Sequence, residues 1–182
     1  MTLSDINLHA DLIAHPLGQT CPAPSLHPSN IRIRQPGTPT SLPTVSAWCP
    51  MPIELRTPRL RLDAWRDEDI DDYDTLVHER DPRTAAAPHG GRPTRDELRE
   101  TILRQQASHA ETGIGLLVIR TADRFAGYCG LIVGRASVAE PELAYELLRV
   151  NQGNGYATEA AGATVDAAAG TGRSRLWATV RS

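Results

Sequence analysis

Leu60, Leu62 and Ala64 alternate with Arg59, Arg61 and Asp63, and this period of two predicts a half-buried strand. The period then changes. Ile70, Tyr73 and Val77 recur at i, i+3 and i+7 behind Asp67, a good capping residue, which predicts an amphipathic helix. Glu68, Asp69, Asp71, Asp72 and Asp74 fall mostly on its solvent side, where the macrodipole favours carboxylates at a helix start, so a metal or cationic-substrate site is the weaker reading. After turn residues at 87–91, Thr94 and Glu97 form a capping box that opens a second helix, with Leu98, Ile102 and Leu103 as its buried stripe and Gly113 as its stop. The apolar runs 116–119 and 125–133, separated by a turn at 121–124, predict an antiparallel hairpin.

Alternation returns after Pro141: Leu143, Tyr145 and Leu147 share one face of a strand, Glu142, Ala144 and Glu146 the other. An alanine-rich helix over 156–169 and a last strand over 176–180 complete the pattern, and a strand–helix–strand run of this length places the two strands parallel. The expected fold is therefore mixed α/β (α+β): one sheet, an antiparallel meander plus one parallel crossover, flanked by helices.

The first 51 residues do not share these periods. Eight of the fourteen prolines and only four charged side chains (Asp5, Asp11, Arg32, Arg34) lie in the first 50, so residues 1–51 are expected to be a disordered proline-rich segment and 52–182 the folded domain, with Met51 a candidate start site. Composition narrows the function. A net charge of -3 gives no general drive toward nucleic acid or anionic membrane. All 19 basic residues are Arg, which removes Walker-type and Schiff-base lysine chemistry. Cys21, Cys49 and Cys129 contain no C-x-x-C pair and suggest neither a disulfide framework nor a cysteine zinc site; no apolar run is long enough to span a bilayer, so a cytoplasmic protein is expected. No metal is expected either.

Gln152-Gly153-Asn154-Gly155-Tyr156-Ala157 joins a strand to a helix start, where unpaired N–H groups and the helix dipole favour an anion. Gly153 and Gly155 let a ligand approach the backbone, Ala157 keeps the first turn clear, and Asn154 suits a cap. On these residues alone, a phosphate cradle and an ordinary glycine turn entering a helix both remain open. A dinucleotide fingerprint fits poorly, because Thr158 stands at the third glycine position and Ser174 and Arg175 stand where the ribose-binding acid belongs.

Gln152-x-x-Gly155-x-Ala157 resembles the Gln/Arg-x-x-Gly-x-Gly/Ala signature of the GNAT superfamily of acetyl-CoA-dependent N-acyltransferases. Glu142-Leu143-Ala144-Tyr145, Gly155-Tyr156-Ala157-Thr158-Glu159-Ala160 and the opening Leu55-Arg56-Thr57-Pro58-Arg59-Leu60-Arg61-Leu62 resemble its ribosomal-protein N-terminal acetyltransferase branch. The resemblance implies that acetyl-CoA is the co-substrate. Its pyrophosphate would lie on Gln152, Gly153, Asn154, Gly155, Tyr156 and Ala157, with Thr158 an extra contact and its pantetheine arm against the backbone of Leu147, Leu148 and Val150. The acetyl group would pass directly to a primary amine, on a protein N-terminus or a small molecule. Since an ammonium is not a nucleophile, a carboxylate must take its proton: Glu142 is the expected base, with Glu146 in reserve. Tyr145 is expected in the core, with a phenol able to orient substrate or protonate the thiolate. His89 is a weaker candidate for the cleft edge. Relatives continue beyond the strand over 176–180, so the chain is expected to be incomplete at its C-terminus, its open edge completed by a partner or a dimer mate. The alternative to an active enzyme is a remnant that binds coenzyme A or a partner without turnover.

Overall fold

In a computed structural model that describes residues 48–80, 92–134 and 137–179, the alternating segments become strands of one sheet and the i, i+3 segments become helices across its faces. Among these residues the order is β1 (Leu55–Arg56), β2 (Arg61–Asp63), α1 (Ile70–Glu79), α2 (Arg95–Thr112), β3 (Leu116–Thr121), β4 (Arg124–Ile132), β5 (Glu142–Leu147), α3 (Tyr156–Gly170) and β6 (Trp177–Ala178). The strands lie side by side in chain order, antiparallel from β1 to β5, and β5–β6 is parallel. The β3–β4 hairpin turns on Ala122 and Asp123, both at positive φ, a two-residue turn whose twist matches that of the flanking strands. The parallel step needs a crossover, and α3 supplies it.

Each face of the sheet is covered. Leu62, Ile119, Ala126, Cys129, Leu131, Leu143 and Leu147 pack with Ala160 and Ala168 of α3, whose small side chains let the helix sit close to the strands. On the opposite face Trp65, Val118 and Phe125 pack with Ile70, Tyr73, Leu76 and Val77 of α1 and Leu98 and Ile102 of α2. The capping box of Thr94 and Glu97 opens α2, and Gly113, at a φ of +71°, closes it. Met51 is buried in the α3-side core and its N–H donates to the Gly113 carbonyl, 2.8 Å away.

Five expectations are corrected. Asp63 is buried and Ala64 exposed, the reverse of the alternation, because Arg120 of β3 reaches Asp63 with Nε 2.6 Å from Oδ1. Asp69, expected on the solvent side, is buried for the same reason, receiving Arg120 Nη1 and Nη2 at 2.8 and 2.9 Å. A helical turn at Asp67–Asp69 precedes α1, so Asp69 rather than Asp67 holds the cap position, its carboxylate accepting from the Arg66 N–H. Leu103 is exposed, since the α2 contact with the sheet is narrow and Leu98 and Ile102 fill it. Cys49, where no disulfide framework was expected, is disulfide-bonded, whereas Cys129 is free and buried. Residues 1–47, the turn at 87–91 with His89, and Val180 lie outside the described residues.

Candidate functional site

β5 ends at Leu147, and a helical turn at Arg149–Asn151 leads into the glycine loop. Gly153 and Gly155 hold φ at +77° and +78°, a left-handed conformation that costs a residue with a Cβ about 1–2 kcal/mol. The first N–H of α3 to find an acceptor is that of Glu159, on the Gly155 carbonyl, and no side chain caps the helix. The amides from Gly153 to Thr158 therefore have no hydrogen-bond partner among the described residues. Consecutive donors without a partner among the described residues, at the positive end of a helix dipole, have the chemistry of a nest for an anion. A Cβ built on Gly153 meets nothing within 4 Å, so the nest is open to a ligand. The fit to a pyrophosphate is good.

The loop's polar side chains turn inward instead. Gln152 Nε2 donates to the Leu147 carbonyl at 3.0 Å, bracing the loop against the end of β5. Asn154, expected as the cap, donates to the carbonyls of Asn151 and Gln152 at 3.3 and 3.2 Å, and Gly155 takes the cap position. Tyr156 and Ala157 pack on the α3-side core, and Thr158 is exposed.

Beside the loop the sheet opens. β6 pairs with β5 only at Glu142 and Leu143, so from Ala144 onward that edge of β5 has no strand partner among the described residues. Leu148 is not available to a ligand in the manner expected, since its N–H donates to Ala126 and its carbonyl accepts from Asn151. Val150 is 80% exposed. Tyr145, expected in the core, is 42% exposed: it shares a face with Leu143 and Leu147, but the missing rung of β6 leaves it uncovered.

The two carboxylates on the other face differ. Glu142 is half-buried at the point where β6 meets β5, and its carboxylate makes no hydrogen bond or ion pair among the described residues. Gly134 packs against it so closely that a Cβ there would collide with Oε2. Glu146 is occupied by Arg80 and accepts from the Tyr128 hydroxyl at 2.8 Å. Burial, then the charge of Glu146, pushes the Tyr128 phenol up; burial opposes the Arg80 charge, but the hydrogen bond to Glu146 and the electrostatics of Tyr128, Glu146 and Tyr73 together outweigh it and hold that guanidinium above its ordinary value.

The sequence reading missed the contacts of Arg80, Tyr128, Arg59 and Glu159. Thr57 Oγ1 donates to Glu159 Oε1 at 2.5 Å and Arg59 Nε to Oε2 at 2.6 Å, tying the β1–β2 turn to the first turn of α3. Thr57, Arg59 and Glu159 stood in the resembling motifs, but nothing local connects residues 100 positions apart. Arg149 closes the other side, its N–H on Glu79 Oε2 at 2.6 Å. No group of three or more His, Cys, Asp or Glu side chains among the described residues is placed to hold a metal ion, and no helix there is long and apolar enough to cross a membrane.

Two solved structures are similar to this chain in fold. One is described as a GnaT-family acetyltransferase from Bordetella pertussis (TM-score 0.51, 21% identity, 62% of this chain and 70% of that one covered). The other is the acetyltransferase from Agrobacterium tumefaciens strain C58 (TM-score 0.50, 26% identity, 73% and 70% covered). No curated protein matches. The acetyltransferase (GNAT) domain matches over residues 59–182, a span that takes in β2 to β6, the open edge and the nest, and the chain belongs to that family.

Proposed function

We propose that the protein is an acetyl-CoA-dependent N-acetyltransferase that moves an acetyl group to a primary amine, on a protein N-terminus or a small molecule, with Glu142 as general base. The observation that carries this reading is the run of amides at 153–158 beside the β5 edge beyond Leu143, neither of which has a backbone partner on that side among the described residues. A pyrophosphate on the nest directs the pantetheine arm along β5 toward Glu142, with the edge groups beyond Leu143 and the exposed Val150 as its backbone partners.

Acetyl-CoA supplies an activated thioester. Glu142, without a partner among the described residues, accepts a proton from the acceptor's ammonium, directly or through one water; the neutral nitrogen forms the new C–N bond as the C–S bond breaks, the thiolate leaves, and the nitrogen's second proton passes to that thiolate, giving the neutral amide and the thiol. A ligand arm added to a strand edge lies in the plane of the sheet, so side chains from both faces flank it. Tyr145, on the face opposite Glu142, is in this way the candidate proton donor to the thiolate. Glu146, paired with Arg80, takes no part in the proton transfer.

Titration of acetyl-CoA into the full chain by calorimetry, followed by thiol release with a panel of N-terminal peptides and small amines, tests the proposal. Saturable one-to-one binding and transfer to an amine are expected. Binding without transfer to any acceptor supports the alternative, a remnant that holds coenzyme A without turnover; a folded chain that does not bind removes the nest from the account.

A further inference from the structure

The segment Gln152–Thr158 carries no charged side chain, yet a carboxylate follows at once: Glu159, in the first turn of α3. A fixed negative charge there competes with an incoming anion for the same helix field. Arg59 meets it from the β1–β2 turn. Its Nε and Nη2 both lie 2.6 Å from Glu159 Oε2, and its Nη1 donates to the Asn154 carbonyl at 2.8 Å. The guanidinium carbon lies 5.0 Å from the centroid of the Tyr156 ring, and a Cβ built on Gly155 would be 3.4 Å from Nη2. One side chain thus spans Asn154, Gly155, Tyr156 and Glu159 while half of it faces solvent. The hydroxyl of Thr57, and then Arg59, hold the Glu159 carboxyl below its ordinary value, so its charge is present under the conditions in which a phosphate would bind.

We propose that Arg59 is a positioning residue for the cofactor's pyrophosphate, cancelling Glu159 at the mouth of the nest and occupying the Asn154 carbonyl, so that a bound phosphate meets donors rather than a carboxylate. This rests on the coenzyme A reading above. A purely structural tie between the β1–β2 turn and α3 behaves differently, because it is indifferent to the charge of Glu159 once the fold is intact.

The test is calorimetric titration of coenzyme A into the full chain as wild type, Arg59→Met, Glu159→Gln and the double variant, with circular dichroism on each. Arg59→Met weakens binding about tenfold by leaving Glu159 uncancelled. Glu159→Gln keeps an oxygen for Thr57 and tightens binding about threefold, a gain that shrinks as salt rises from about 0.05 to about 0.5 M. The double variant returns to within about twofold of wild type, since neither charge remains. A double variant as weak as Arg59→Met overturns the proposal, and so does a Glu159→Gln protein that binds no more tightly than wild type, an arm that stands even where Arg59→Met does not fold. A wild-type chain that fails to bind coenzyme A refutes the nest itself, and is recognised before any variant is compared.

Discussion

Arg80 holds Glu146 through two nitrogens, with Nε 2.8 Å from Oε1 and 2.9 Å from Oε2 and Nη2 2.5 Å from Oε2. Each side chain is 25% exposed, so the pair is substantially shielded from solvent. Glu142, four residues away on the same face of β5, lacks such a partner among the described residues. One strand therefore presents, among the described residues, one neutralised carboxylate and one without a partner, and the proposed division of roles rests on that difference.

Glu142→Gln is expected to reduce kcat about 100-fold or more while leaving coenzyme A affinity unchanged, because it removes the proposed proton acceptor and nothing at the glycine loop. Glu146→Gln should leave kcat within a few fold of wild type but lower stability by about 2 kcal/mol, since Arg80 is left half-buried beside a neutral amide. Steady-state kinetics and urea denaturation on both variants check the pair. Equal kinetic losses would defeat the division of roles.

Gly155→Arg should abolish coenzyme A binding. The new side chain carries a backbone conformation suited to glycine and projects toward Arg59 and the nest. Gly153→Ala is the control, because its Cβ meets nothing within 4 Å: a stability loss of about 1 kcal/mol from φ alone is expected. Thermal unfolding and calorimetry separate the two effects.

Arg120 is 3% exposed and bonds both Asp63 and Asp69. Arg120→Met should destabilise the fold by about 3–5 kcal/mol, leaving Asp69 in the interior without its counter-charge, whereas Asp63 keeps Arg66 at 2.7 Å and Arg61 at 3.2 Å. Adding Asp69→Asn should recover part of that loss in chemical denaturation. Additive losses would mean that the network is not coupled.

Burial raises the Cys129 thiol to about 11 from 9.0, opposed in part by the Thr164 hydroxyl. A raised thiol value favours the neutral form in the fold, so the stability it contributes is complete below pH 9 and is lost as pH rises through about 11. At neutral pH Cys129 should resist iodoacetamide until the chain is unfolded. Peptide mapping of alkylated native and denatured protein reads this directly, and rapid labelling of the native form would contradict the burial.

Local patterns in the chain fix its elements, and at the glycine loop they leave an anion cradle and an ordinary turn both open. Periodicity placed the strands and helices, the Thr94–Glu97 box and Gly113 bounded α2, and the strand–helix–strand spacing required a parallel β5–β6 pair. These are local rules, complete within a few residues of chain.

Tertiary structure alone decided the rest. Asp63 and Asp69 are buried because register brings Arg120 to them, Glu146 is neutralised by an arginine 66 residues earlier, and Arg59 meets Glu159 across 100 residues. Tyr145 has the spacing of a core residue yet is exposed, because β6 covers only two residues of its strand. A charge or an aromatic ring has no preference for a face until its neighbours arrive. Register and strand pairing bring those neighbours from far along the chain, so no local pattern could have named them.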